Sequence, residues 1–136
     1  MIQRVSHVSV FVLDQEAARA FYTDKLGFEV RHDSAAGEFR WLTVGPKGQK
    51  DLELAIIPVQ SSPLLDEATA EAIRALVRKS AFVLGILETA DCRKTYEELS
   101  AKGVEFMGPP AERPYGIEAM LKDSSGNWWS VVQRPK

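Results

Sequence analysis

The stretch His7-Val8-Ser9-Val10-Phe11-Val12-Leu13-Asp14, read on through Gly27, decides the fold. Val8, Val10 and Val12 alternate with His7, Ser9 and Phe11, the period of a strand with two unlike faces. The β-branched valines favour extended backbone. Asp14 then suits a helix N-cap, and Glu16 suits the positive end of the helix dipole. Ala18, Phe21 and Tyr22 recur at i, i+3 and i+4, which gives that helix a buried stripe. Gly27 ends it, as glycine commonly does after the last helical turn.

Working outward, residues 28–31, 39–44 and 52–57 read as three strands, with Gly45-Pro46-Lys47-Gly48 turning the chain between the last two. Ser62-Pro63 can start a helix with proline at its first position. Leu65, Ala72, Ile73 and Leu76 then carry an apolar stripe on through Arg78. The order repeats beyond it. Residues 81–87 form a strand, and Asp91 caps a helix whose inner side holds Thr95, Tyr96 and Leu99. Gly103 ends that helix, and residues 104–107, 116–121 and 128–132 are strands, the last two joined by Ser124-Ser125-Gly126-Asn127.

Both halves are therefore βαβββ. The caps at positions 14 and 91 stand 77 residues apart, and the glycines at 27 and 103 stand 76 apart. The expected class is α+β: two tandem βαβββ modules, residues 1–60 and 80–136, joined by a linker helix in 61–79. Their sheets are expected to pair into one curved mixed sheet with helices outside and a concave ligand cavity inside. One module alone is too small for a stable core, so pairing occurs within one chain or between two, and a homodimer is expected.

Composition removes several functional classes. The chain has 136 residues, 45% hydrophobic and 26% charged, with a net charge of −2. This is the profile of a folded domain, and it offers no basic face for nucleic acid. The longest apolar run, residues 81–87, falls well short of the roughly 20 residues a membrane-spanning helix needs, so no membrane partner is expected. Cys92 is the only cysteine, which rules out an intrachain disulfide and a multi-cysteine zinc site and fits a cytoplasmic location.

Asp14, Phe21-Tyr22 and Leu26-Gly27-Phe28 resemble the first-module signature of the vicinal oxygen chelate superfamily, which includes glyoxalase I, bleomycin-resistance proteins and extradiol dioxygenases. The second half resembles it more fully, in Asp91, the run from Leu99 to Val104, Pro114-Tyr115-Gly116, and the run from Asp123 to Asn127. In the enzymes of that family a divalent metal lies in the concave face, held from the first and fourth strands of each module, and the substrate's vicinal oxygens complete its shell. The resemblance puts His7, Glu53, Leu84 and Ser130 at those four positions. Only His7 and Glu53 have ligand chemistry, and they are the candidate catalytic and metal-binding residues. No cofactor is firmly implied; a divalent metal (Zn, Fe, Mn or Ni) is the one the resemblance offers.

The remaining candidates are ligand contacts. Phe11, Trp41, Leu84, Ile86, Met120 and Trp128 fall on the expected concave face, with Glu118 and Ser130 as its polar members. An apolar, aromatic wall suits a planar or amphiphilic small molecule. Met107 adds an adaptable side chain, and Tyr115, in a loop, suits a lid. Trp129 should point into the core. Arg31 and Arg40 are candidate anion anchors, His32 falls beyond the second strand, and Cys92 reads as a buried structural thiol. The favoured function is small-molecule binding with a degenerate metal site. The alternatives are a metal-dependent lyase, isomerase or dioxygenase using His7 and Glu53, and an interaction module that keeps only the fold.

Overall fold

The computed structural model describes residues 1–136 and divides into two compact units, Met1–Ala75 and Leu76–Lys136. The first unit holds β1 (His7–Val12), α1 (Gln15–Ala20), a π-helical turn (Phe21–Lys25), β2 (Glu29–Ala36), β3 (Phe39–Gly45) and β4 (Glu53–Pro58). A second helix, α2 (Glu67–Arg78), carries the boundary between the units. The second unit continues with β5 (Val83–Glu88), α3 (Cys92–Ala101), β6 (Glu105–Phe106), β7 (Ala111–Arg113), β8 (Gly116–Lys122) and β9 (Trp128–Gln133).

Strand pairing is confined to each unit, where the sequence leads one to expect a single larger sheet. The first sheet runs β1-β4-β3-β2, and the second runs β5-β9-β8-β6 with β7 added on β8. Each first strand pairs in parallel with the last strand of its own unit, and the other pairings are antiparallel. The class is α+β, with two βαβββ modules, the second carrying one extra short strand. β7 lies between Pro109-Pro110 and Pro114, and its three residues pair only with the start of β8.

Both expected caps form. The Asp14 side chain accepts from the Ala17 amide and that of Asp91 from the Lys94 amide. Gly27 and Gly103 follow the helices with φ of +75° and +87°, a conformation that favours glycine. The one-residue slip between the 77- and 76-residue spacings has a structural cause. In the first unit, Leu26 N–H reaches back five residues to the Phe21 carbonyl, a π turn that takes up the extra residue; α3 needs none. The turn sits where Phe21 and Tyr22 must both be buried.

The linker helix begins later than expected. Ser62 and Leu65 bond each other's backbone in a tight loop that contains Pro63. The helix opens instead at Asp66, whose carboxylate accepts from the Thr69 amide at 2.7 Å. In each unit the core lies on one face of the sheet. Val10, Val12, Leu42, Val44 and Ile56 are buried with Ala18 and Tyr22 of the helical segment, and the Gln15 amide donates to the carbonyls of Arg40 and Ile56. In the second unit Leu121, Trp129 and Val131 are buried with Cys92. Gly85 is small because a β-carbon there would lie 3.1 Å from the Trp129 ring. The opposite face of each sheet carries the candidate site residues.

Candidate functional sites on the two sheet faces

In the first unit, register decides which side chains share a face. His7 pairs with Glu53, Phe11 with Ile57 and Thr43 with Ala55, so His7, Ser9 and Phe11 lie on one side with Glu53, Thr43 and Trp41. His32 joins them through an irregularity. Val30 pairs with Val44, but the next pair is His32 with Thr43, which leaves Arg31 as the extra residue of a β-bulge. A regular strand would have put His32 on the core side. The bulge is held by Arg31, whose guanidinium donates to the carbonyls of Pro46 and Gln49 at 2.6 Å and pairs with Glu29. Gly45 leaves room for it, since a β-carbon there would lie 3.1 Å from Arg31 Nη2. Arg31 is therefore a structural clasp, and Arg40, paired with Asp33 and Glu16, is likewise committed.

Glu53 is the centre of this face. The fully buried Thr43 hydroxyl donates to Glu53 Oε1 at 2.7 Å; His7 Nε2 is 3.4 Å and His32 Nε2 3.7 Å from the same oxygen. The Thr43 hydroxyl bond, reinforced by the charges of His32, His7 and Arg31, holds the Glu53 carboxyl below the usual carboxylate range. His7 Nδ1 hydrogen-bonds the Ser6 hydroxyl, and the His7 ring lies 5.6 Å from that of Trp41. His32 lies within β2 and not beyond it, because the polar run Arg31-His32-Asp33-Ser34 continues the strand to Ala36.

The second unit keeps the theme and exchanges the strands. Ser130 on β9 donates to Glu118 on β8 at Oε2, and the Tyr115 hydroxyl donates to Glu118 Oε1 at 2.6 Å. Arg113 Nε stands 3.7 Å from that same oxygen. The Ser130 bond foremost, then that of Tyr115, holds the Glu118 carboxyl below its usual range, while the bond to Glu118 pushes the Tyr115 phenol up. Register places Met120 beside Ser130 and Trp128 beside Lys122, whose ammonium lies 4.9 Å from the Trp128 ring. Tyr115 sits at the tip of the β7–β8 hairpin, fastened to Glu118. Met107 is exposed, its amide bonded to the Met120 carbonyl.

A correction concerns Leu84. β5 carries its own bulge between Val83 and Gly85, and Ile86, not Leu84, pairs with Ser130 as His7 pairs with Glu53. The extra residue Leu84 shifts every later position of the strand. Ile86 and Val83 stand exposed on this face. Trp129 lies in the core, and burial pushes the Cys92 thiol up, as a structural role requires.

The four positions that the resemblance offers do not supply a full set of metal ligands. Neither Leu84 nor Ile86 has donor chemistry, and the Ser130 hydroxyl is committed to Glu118. No group of three or more His, Cys, Asp or Glu side chains is placed to hold a metal.

Comparisons with known proteins follow the same lines. The chain is 36% identical to the uncharacterised protein YurT of Bacillus subtilis over 131 residues, 93% of this chain and 95% of that one. It is similar in structure to UcmS2, with 47% identity, a TM-score of 0.91, and 98% and 99% of the two chains covered. It is also similar to TnmS3, an antibiotic binding protein from Streptomyces sp. CB03234, with 30% identity, a TM-score of 0.77 and 98% of both chains covered. The model of the Glyoxalase/Bleomycin resistance protein/Dioxygenase superfamily matches residues 4–131, and with two βαβββ units beneath that match the chain belongs to this superfamily.

Proposed function

We propose that this protein binds a small organic molecule with an aromatic ring on its sheet faces and holds it without chemical change, as a sequestering protein for an antibiotic or similarly shaped compound. The observation that carries this reading is the makeup of the faces. Trp41 and Phe11 in one unit, and Trp128, Ile86 and Val83 in the other, offer apolar and aromatic surface beside isolated carboxylates. The antibiotic-binding description of TnmS3, 30% identical, supports the same class. Exposed Val83 and Ile86 on β5 and Phe11 on β1, each an edge strand, support a homodimer. The proposed location is the cytoplasm, in keeping with a lone buried cysteine.

The test is a thermal-shift and calorimetric screen of planar aromatic compounds against the purified chain. At least one should raise Tm, and the tryptophan substitution in the unit that holds it, Trp41→Ala in the first or Trp128→Ala in the second, should weaken it by about tenfold. A screen without any binder would overturn the reading. So would stoichiometric bound metal that disappears in His7→Ala, which would favour the metal-dependent lyase, isomerase or dioxygenase instead. Sedimentation of the same sample checks the dimer through a two-chain mass that does not change on dilution.

A further inference from the structure

Glu53 is held unevenly. Its Oε1 faces Thr43, His7 and His32, whereas Oε2 accepts no hydrogen bond from the protein. The carboxylate is mostly covered, its side chain 18% exposed, while the imidazoles beside it are more open, His7 at 37% and His32 at 58%. Trp41 shares the face, its ring against His7. A carboxylate oxygen accepts hydrogen bonds and donates none. A charge-assisted bond to such an oxygen is stronger than a neutral one.

We propose that Glu53 Oε2, walled by His7 and His32 and flanked by Trp41, is a specificity site for a hydrogen-bond donor carried on an aromatic ring, such as a phenolic hydroxyl or an aryl amine. The ring lies against Trp41 and the donor reaches Glu53. Thr43 fixes one oxygen and so orients the other, and the Arg31 bulge supplies the second imidazole wall. A ligand group with only acceptors meets a carboxylate it cannot bond, and it is rejected because both groups lose water without compensation. The inference rests on the aromatic-ligand reading above and deepens it.

Two probes of nearly equal ring size test it, 2-naphthol and 2-methoxynaphthalene, which differ in whether the oxygen can donate. Calorimetry on the native chain should show the naphthol bound about tenfold more tightly, the scale of one hydrogen bond to a charged group. In Glu53→Leu that preference should shrink to within about twofold, as the naphthol loses its acceptor and the methyl ether no longer has a carboxylate to desolvate. In Glu53→Gln, which keeps the shape and an acceptor without the charge, it should fall to an intermediate value. Equal affinities in the native chain, or a preference that persists in Glu53→Leu, would overturn the donor site and leave the aromatic-ligand reading standing. Binding of neither probe would overturn both.

Discussion

The two units answer one problem, a carboxylate on a sheet face, in opposite ways. In the first unit Glu53 on β4 takes a hydroxyl from Thr43 on β3, and both imidazoles gather at the same oxygen. In the second, Glu118 on β8 takes a hydroxyl from Ser130 on β9, and Tyr115 with Arg113 occupies its other oxygen. One carboxylate keeps an oxygen in reserve, and the other is satisfied on both sides. The difference separates a group suited to meet a ligand from one that fastens a hairpin tip to its sheet. It also shows that the repeat conserves a pairing of hydroxyl and carboxylate across neighbouring strands while exchanging which strand bears which.

The largest expected effect tests how rigid that hairpin is. Gly116 opens β8 with φ of +137°, and a β-carbon there would lie 2.2 Å from the Gln133 carbonyl oxygen. Gly116→Ala must move backbone, and it should cost about 3 kcal/mol or more in chemical denaturation. Gly37, in the β2–β3 turn of the first unit, has φ of +63° with open space around it. Gly37→Ala should therefore cost only about 1 kcal/mol, the conformational penalty alone. Similar losses from the two would mean that the β7–β8 hairpin yields and that Tyr115 is free to act as a lid.

A smaller effect comes from the buried hydroxyl. Ser130→Ala removes one donor from Glu118 and leaves Oε2 unsatisfied in a largely covered setting, so a loss of about 1–2 kcal/mol at neutral pH is expected. The sign with pH follows from the direction of the shift. Folding holds the Glu118 carboxyl below its ordinary value of 4.5, so the stability it supplies is present above that value and lost as pH falls through the lower folded value. The gap between the native chain and Ser130→Ala should narrow in that acid window. A gap unchanged into strong acid would show that Ser130 acts through packing alone.

Much of this was legible in the residues. The capped helices, their terminal glycines and the strand alternation carry local signals, and Asp14, Asp91, Gly27 and Gly103 do in the structure what their chemistry suggests. What escaped was irregular pairing. A bulge is a relation between two strands, and nothing in Val30-Arg31-His32 alone says that Arg31 will be skipped and His32 turned toward Glu53. The same holds for Leu84, displaced by its own bulge, and for the register that gives its place to Ile86. The π turn was half legible, since its extra residue showed as a one-residue discrepancy, but only the backbone reveals where that residue went. Pro63 misled because a helix-starting residue is also a turn residue, and Asp66 three positions on was the better cap.

The smallest effect is the most specific to the second unit. Tyr115 is half exposed, so its bond to Glu118 competes with water, and Tyr115→Phe should lower Tm only slightly at neutral pH. Its pH dependence is the sharper readout. The folded protein holds the phenol proton more tightly than an unfolded chain does, because the hydroxyl donates to Glu118 and a phenolate would face that carboxylate. A folded value raised above the ordinary 10 contributes stability that is fully present below 10 and lost as pH rises through the raised value. The small advantage of the native chain over Tyr115→Phe should therefore vanish in alkali, while His32→Ala in the first unit, which removes no phenol, should show no such convergence. Convergence in both variants would trace the change to a group the two units share, and would dissolve the distinction between a fastened carboxylate and one kept in reserve.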